Sequence, residues 1–89
     1  MTVHLHINKG KKMSYHMHNN RDEVWTIISG EGKVLIDGNG KNVNIGDTIR
    51  IMSGSKHYIE ALTDMDIIEI QIGNEINVND KVKFPLDDM

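Results

Sequence analysis

Residues 10–30 read GKKMSYHMHNNRDEVWTIISG, and this stretch decides the fold. Within it, residues 24–28 (VWTII) form a β-branched and aromatic run that is typical of a strand. Residues 14–18 predict a shorter strand, which carries His16 and His18 two positions apart. Because side chains two apart in a strand point to the same face, these two imidazoles are expected to project together.

Short alternating runs dominate the rest of the chain, and helical periodicity is almost absent. Residues 37–40 (DGNG) are a hairpin signal, because Asp-Gly and Asn-Gly pairs tolerate positive φ. The pattern predicts about nine strands in a β-sandwich or barrel. At 89 residues there is room for one domain, residues 1–89, which restricts the fold to a small closed barrel or jelly roll. Further strands are predicted at residues 3–7, 33–36, 42–45, 48–52, 57–61, 66–72 and 78–84.

Composition excludes several classes of protein. Cysteine is absent, so neither a disulfide nor a thiolate ligand is available. No apolar run approaches the roughly 18 residues that a membrane helix needs, and the first residues do not resemble a signal peptide, so a cytoplasmic location is expected. The formal charge is −3 and the basic residues are scattered, which argues against nucleic acid as a partner but not against a small anion.

Three histidines and one glutamate form the pattern that carries chemistry: His16, His18, Glu23 and His57. A tight connection can bring Glu23 to the start of the strand after His18, and His57 begins a strand far along the chain. Such a set suits one divalent ion, and zinc, manganese, iron and nickel all accept these ligands. It leaves one or two positions open, as in a catalytic site. Taken alone, His16 and His18 have a plainer interpretation as two surface histidines on a half-exposed strand.

The spacing around these residues supports the metal interpretation. In the first frame, Gly10 is followed after five residues by residues 16–18 (HMH), then after four by Glu23 and after six by Gly30. The second frame is Gly46, five residues, Met52, one residue, Gly54, two residues, His57. The two frames resemble the two cupin motifs, although Met52 replaces the usual proline and Ala61 a frequent asparagine. The resemblance implies a double-stranded β-helix with His16, His18, Glu23 and His57 as metal ligands.

A narrower resemblance covers nearly the whole chain. Residues 17–25 (MHNNRDEVW), 68–73 (IEIQIG) and 79–84 (NDKVKF) resemble segments of the cupin domain of type II phosphomannose isomerases. In that family the domain usually follows a nucleotidyltransferase domain. This chain has His16 where the family often has glutamine, and it lacks the Tyr-Gly-Arg that typically follows. The resemblance implies a metal-dependent isomerase and, as in other small cupins, a homodimer.

The residues that would complete a site are less clearly marked. An isomerase needs a base that is not a metal ligand, for which Glu69 is the first candidate and Glu60 the second. Trp25, Arg50 and Gln71 are candidates for binding substrate, with Lys33 and Lys56 as further cations for an anionic group. The alternation at 68–72 has two interpretations. If the isoleucines pack in the core, Glu69 and Gln71 face solvent, and if the isoleucines pack on a partner subunit, both polar residues line the pocket.

Three functions stay open on this sequence. The first is a metal-dependent isomerase or epimerase of a sugar or sugar phosphate. The second is a module that binds metal and a sugar or organic anion without turnover. The third is a metal-dependent oxygenase or lyase acting on a small polar metabolite, because a His and carboxylate ligand set with open positions also supports that chemistry.

Overall fold

The computed structural model describes residues 1–13, 15–73 and 79–84. In those ranges every regular element is a strand, so the predicted all-β fold is confirmed. The strands are β1 (Thr2–Ile7), β2 (His16–Met17), β3 (Asp22–Ser29), β4 (Gly32–Ile36), β5 (Asn39–Val43), β6 (Thr48–Ile51), β7 (His57–Ala61), β8 (Met65–Ile72) and β9 (Val82–Lys83).

The strands form two antiparallel sheets with crossed connections. One sheet has the order β1-β8-β3-β6, and the other has the order β5-β4-β7-β2-β9. Buried apolar side chains from both sheets form one core cluster, which includes Trp25 and Ile67 from the first sheet and Val34 and Ile59 from the second. The sheets therefore enclose a common interior, and polar residues that point inward meet there.

Strict alternation decides which residues of β3 and β8 point inward. Along β3, Glu23, Trp25 and Ile27 are buried, while their neighbours are more exposed. Along β8, Glu69 and Gln71 continue the inward row that Met65 and Ile67 begin. Because the side-chain period of a strand is two, a polar residue in an inward register must enter the interior.

The hairpin between β4 and β5 forms at the Asp-Gly signal. Ile36 pairs with Asn39 across a two-residue loop, in which Asp37 and Gly38 have φ of 48° and 84°. Positive φ at both positions is the geometry that a tight turn of this kind requires. The strand after the turn therefore begins at Asn39 and ends at Val43, earlier than the predicted range of 42–45.

The edge strand β1 is fastened to β8 by a polar cluster on the outer face. One oxygen of Asp66 contacts His4 Nε2 and His6 Nδ1, each at 2.9 Å, and its other oxygen accepts from Ser29 Oγ at 2.8 Å. Asp66 therefore joins three neighbouring strands. His4 and His6 are more than half exposed, which places them on the outward face of the sheet.

Candidate metal centre

Three imidazoles meet where β2 lies beside β7. His16 and His57 are direct partners across these two antiparallel strands, and His18 follows His16 by two residues. One ring nitrogen from each of the three residues lies within 4.8 Å of the other two. Tetrahedral zinc bonds of about 2.1 Å place ligand nitrogens about 3.4 Å apart, so small movements bring these rings onto one ion. All three side chains are buried.

Backbone carbonyls orient two of the three rings. Nδ1–H of His57 donates to the carbonyl of Ser55 at 2.9 Å, and Nδ1–H of His18 donates to the carbonyl of Asp80. Because a carbonyl can only accept, these bonds fix the tautomer and leave an Nε2 lone pair facing the cluster. Such anchoring of the second ring nitrogen is a common feature of histidines that bind metals.

His57 supplies the test of whether this cluster suits a cation. Its Nε2 is buried and has no hydrogen-bond partner among the described residues. Burial lowers the pKa of His57 to about 4, so the ring is neutral at pH 7 and its lone pair is available. A buried acceptor without a partner is costly, and a metal ion would satisfy it. The cluster therefore fits a divalent metal.

Glu23 borders the cluster with both of its oxygens held by donors. Oε1 accepts from the indole N–H of Trp25 at 3.0 Å, and Oε2 accepts from Nε of Arg21 at 2.9 Å. Oε2 lies 3.3 Å from Nε2 of His18, and Oε1 lies 3.8 Å from Nε2 of His57. The structure thus brings Glu23 next to two of the imidazoles. Among the described residues, the group that shares a 4.8 Å spacing consists of the three histidines.

A second carboxylate enters the interior from β8. Glu69 lies opposite Trp25, and Gln71 lies opposite Glu23 in the β3–β8 register. Burial raises the pKa of Glu69, and the charge of Glu23 raises it further, while the hydrogen bond from Nε2 of Gln71 at 2.6 Å opposes this rise. A carboxyl with a raised pKa in a cleft is a candidate to take and return a proton.

A cavity of about 300 Å³ opens beside the imidazoles. One part of its wall is apolar. The other part is polar and carries two cations, Arg21 and Lys81, and the carboxylate of Glu69. The lining residues are Met1, Val3, Leu5, Met13, His16, His18, Arg21, Glu69, Gln71 and Lys81. A small molecule in this cavity would contact His16 and His18 together with charged groups.

The structure separates the candidate site residues into two groups. Glu69 and Gln71 line the cavity, as expected if the isoleucines of β8 face outward, and Ile70 and Ile72 are 43% and 44% exposed. Trp25 is completely buried and therefore presents no surface to a ligand. Its indole N–H donates to Glu23 instead.

The remaining candidates for substrate binding and proton transfer lie away from the cavity. On β7, Glu60 is out of phase with the inward residues His57, Ile59 and Ala61, so it faces the outer side. Arg50 is likewise out of phase with its buried neighbours on β6, and its guanidinium donates to Asp22 at 2.9 Å. Strand alternation places both side chains outside the barrel.

Two cations that line the cavity, Arg21 and Lys81, were not predicted from the sequence. Arg21 lies two residues before Glu23 and so shares its side of the chain, which was a usable signal. Lys81 reaches the cavity from the segment before β9, and no spacing in the sequence marks it.

The fold and the buried histidine cluster define a cupin. Solved structures with this fold include a predicted oxalate decarboxylase from Thermotoga maritima, with a TM-score of 0.78 and 25% identity over 82% of this chain and 65% of that one. A salicylate 1,2-dioxygenase from Pseudaminobacter salicylatoxidans has a TM-score of 0.76 and 17% identity, over 79% of this chain and 20% of that one. The second likeness concerns the fold alone.

The chain belongs to the mannose-6-phosphate isomerase C-terminal family, whose model matches residues 2–86. It is 32% identical over 80 residues to the mannose-1-phosphate guanylyltransferase of Escherichia coli K12, and 30% identical over 80 residues to the guanylyltransferase ManC of Salmonella typhimurium. Each match covers 88% of this chain and 17% of the relative. The chain thus spans about a sixth of the length of these relatives. Among the described residues there is no candidate for a membrane-spanning helix.

Proposed function

We propose that this cupin is a metal-dependent isomerase or epimerase that acts on a sugar or sugar phosphate. One observation carries the proposal. A carboxylate that is not among the clustered imidazoles, Glu69, faces the same cavity as His16 and His18. Isomerisation needs both a cation beside the substrate oxygens and a separate base, and this cavity provides a place for each.

The residues divide the work between them. His16, His18 and His57 would hold one divalent ion, with Glu23 beside them, and the ion would stabilise negative charge on the substrate oxygens. Glu69 takes a proton from one carbon and returns it to the neighbouring carbon. Gln71 fixes the carboxylate of Glu69 through its 2.6 Å hydrogen bond. Family membership supports a sugar phosphate as the substrate class.

The experiment compares metal content with turnover. The natively purified protein is analysed for metals, loaded with zinc, manganese, iron or nickel, and incubated with mannose 6-phosphate and related sugar phosphates under NMR detection. Glu69→Gln should retain the metal and lose about 10²- to 10⁴-fold in rate, because the base is gone. Glu31→Gln, an exposed change in the turn before β4, is the matched control. Absence of turnover across the panel with every metal refutes the isomerase.

One observation favours a second candidate. The cavity wall formed by Met1, Val3, Leu5 and Met13 is apolar, which suits a ligand with a hydrocarbon face. A metal-dependent lyase or oxygenase acting on a small organic acid would use such a wall. Oxygen consumption, or loss of carbon dioxide from a dicarboxylic acid, would distinguish this function from isomerisation.

We also propose that two copies pair through the outer face of the β1-β8-β3-β6 sheet. Ile70 and Ile72 are exposed there, and Val24 lies next to Ile70 in the register. Pairing through this row would remove further apolar surface from water, which an 89-residue chain with a small core can use. Light scattering should show a dimer that Ile70→Glu dissociates. Ile45→Glu, an equally drastic change at an exposed position elsewhere, should leave the dimer intact. A monomeric wild type overturns the proposal.

A further inference from the structure

A buried arginine lies at the edge of the histidine cluster, beside His18 and Glu23. The side chain of Arg21 is 9% exposed. Its Nε donates to Oε2 of Glu23 at 2.9 Å, and one terminal nitrogen donates to Nε2 of His18 at 3.0 Å. The guanidinium thus satisfies an imidazole lone pair and a carboxylate oxygen that lie only 3.3 Å apart. Two acceptors this close need a cation beside them.

The same imidazole lone pair is what a metal ion would use. Nδ1–H of His18 is committed to the carbonyl of Asp80, so Nε2 is the nitrogen left for coordination. An imidazole nitrogen has one lone pair in the ring plane and can hold one partner at a time. A metal ion on His18 must therefore replace the hydrogen bond from Arg21, and two positive charges would otherwise be left side by side.

Once displaced by the metal, the guanidinium of Arg21 can turn into the cavity. Arg21 already lines the cavity, and Lys81 lines it as well. A planar fork of donors and an ammonium charge together suit a phosphate group. We propose that Arg21 is a placeholder cation, which holds His18 and Glu23 until metal binds and then takes the phosphate group of the ligand. This inference rests on the proposed function and makes the site specific for phosphorylated ligands loaded together with metal.

Zinc binding to the metal-free protein tests the exchange directly. In phosphate-free buffer, Arg21→Met should bind zinc about tenfold or more tightly than wild type, because no charge-assisted hydrogen bond has to be broken. A merely structural role for Arg21 predicts the opposite, a loosened site with weaker zinc binding. The control is Arg50→Met, which removes the same charge from an exposed ion pair and should bind zinc like wild type.

Inorganic phosphate tests the second half of the exchange. Phosphate should tighten zinc binding to wild type and to Arg50→Met, and should have no such effect on Arg21→Met. Equal or weaker zinc binding by a folded Arg21→Met overturns the proposal, and so does an equal response of all three proteins to phosphate. If Arg21→Met does not fold, Arg21→Lys takes its place. Lysine cannot hold both acceptors as a fork, so this variant should also bind zinc more tightly, and unchanged zinc binding overturns the proposal.

The outcomes distinguish this inference from the proposed function. Zinc binding that follows the expected pattern without turnover of any sugar phosphate refutes the isomerase and leaves the exchange standing. Turnover with zinc binding that is insensitive to Arg21 supports the isomerase and refutes the exchange. A wild-type protein that binds no zinc, manganese, iron or nickel refutes both.

Discussion

Two motif glycines share a backbone conformation and differ in what surrounds them. Gly30 has a φ of +82°, and a Cβ built on it would lie 2.0 Å from the backbone oxygen of Asp64 and 3.0 Å from Cα of Met65. Gly46 has a φ of +89°, and no described atom outside residues 45–47 lies within 4 Å of its Cβ position. Alanine is therefore strained at both positions, whereas only at Gly30 does it also collide with backbone.

The two alanine substitutions should lower the free energy of unfolding by clearly different amounts. A left-handed conformation costs a non-glycine residue about 1–2 kcal/mol, so Gly46→Ala should destabilise the protein by that amount. The collision at Gly30 adds about 3 kcal/mol of overpacking, for a total of about 4–5 kcal/mol. Urea denaturation measures both values, and the melting temperature should fall by about 4–8 °C for each kcal/mol. Equal losses for the two variants would show that the close approach of Gly30 to β8 contributes nothing and would refute the reasoning.

Three further predictions concern the buried and outer polar clusters. Trp25→Phe removes the donor to buried Glu23, so urea denaturation should show that the free energy of unfolding falls by about 2–3 kcal/mol. A fall of less than about 1 kcal/mol would contradict this. His57→Gln should abolish the thermal stabilisation by zinc, about 4 kcal/mol at 1,000 times the Kd, and an undiminished shift would exclude His57 as a ligand. Asp66→Asn tests the clamp on β1. The contact raises the pKa of His6 above 6.5 and lowers that of Asp66 from 3.8 to about 2. The advantage of wild type over this variant should therefore be greatest between pH 3.8 and 6.5 and decline as His6 loses its proton or Asp66 gains one. A flat difference across pH would be inconsistent with the clamp.

The all-β fold was predictable because a strand repeats every two residues and the turns have their own chemistry. The Asp37-Gly38 pair marked its hairpin correctly, since positive φ strongly limits which residues can fill a two-residue turn. Strand ends were harder to place. The strand predicted at 14–18 forms only at His16–Met17, because pairing with β7 and β9, and not propensity, decides its extent. Its first residue, and residue 78 of the last predicted strand, lie outside the described residues.

The histidine cluster was predictable from spacing because it depends on two local facts. Residues two apart share a face, and His57 begins a strand. The sequence could not predict which side chains of β8 point inward, because the alternation at 68–72 allows either face to do so. The register with β3 decides it. Arg21 was missed because its spacing from Glu23 indicates a shared side of the chain but does not reveal its hydrogen bonds with Glu23 and His18.

The carbonyl that orients His18 belongs to a residue 62 positions further along the chain. During translation at about 5–20 residues per second, His18 therefore leaves the ribosome about 3–12 seconds before the group that fixes its tautomer. In the nascent chain, His16 and His18 emerge before the bond to Asp80 can form, so the orientation of the His18 ring is not yet fixed. Any metal-binding geometry at His18 that depends on this hydrogen bond can therefore form only after Asp80 has emerged.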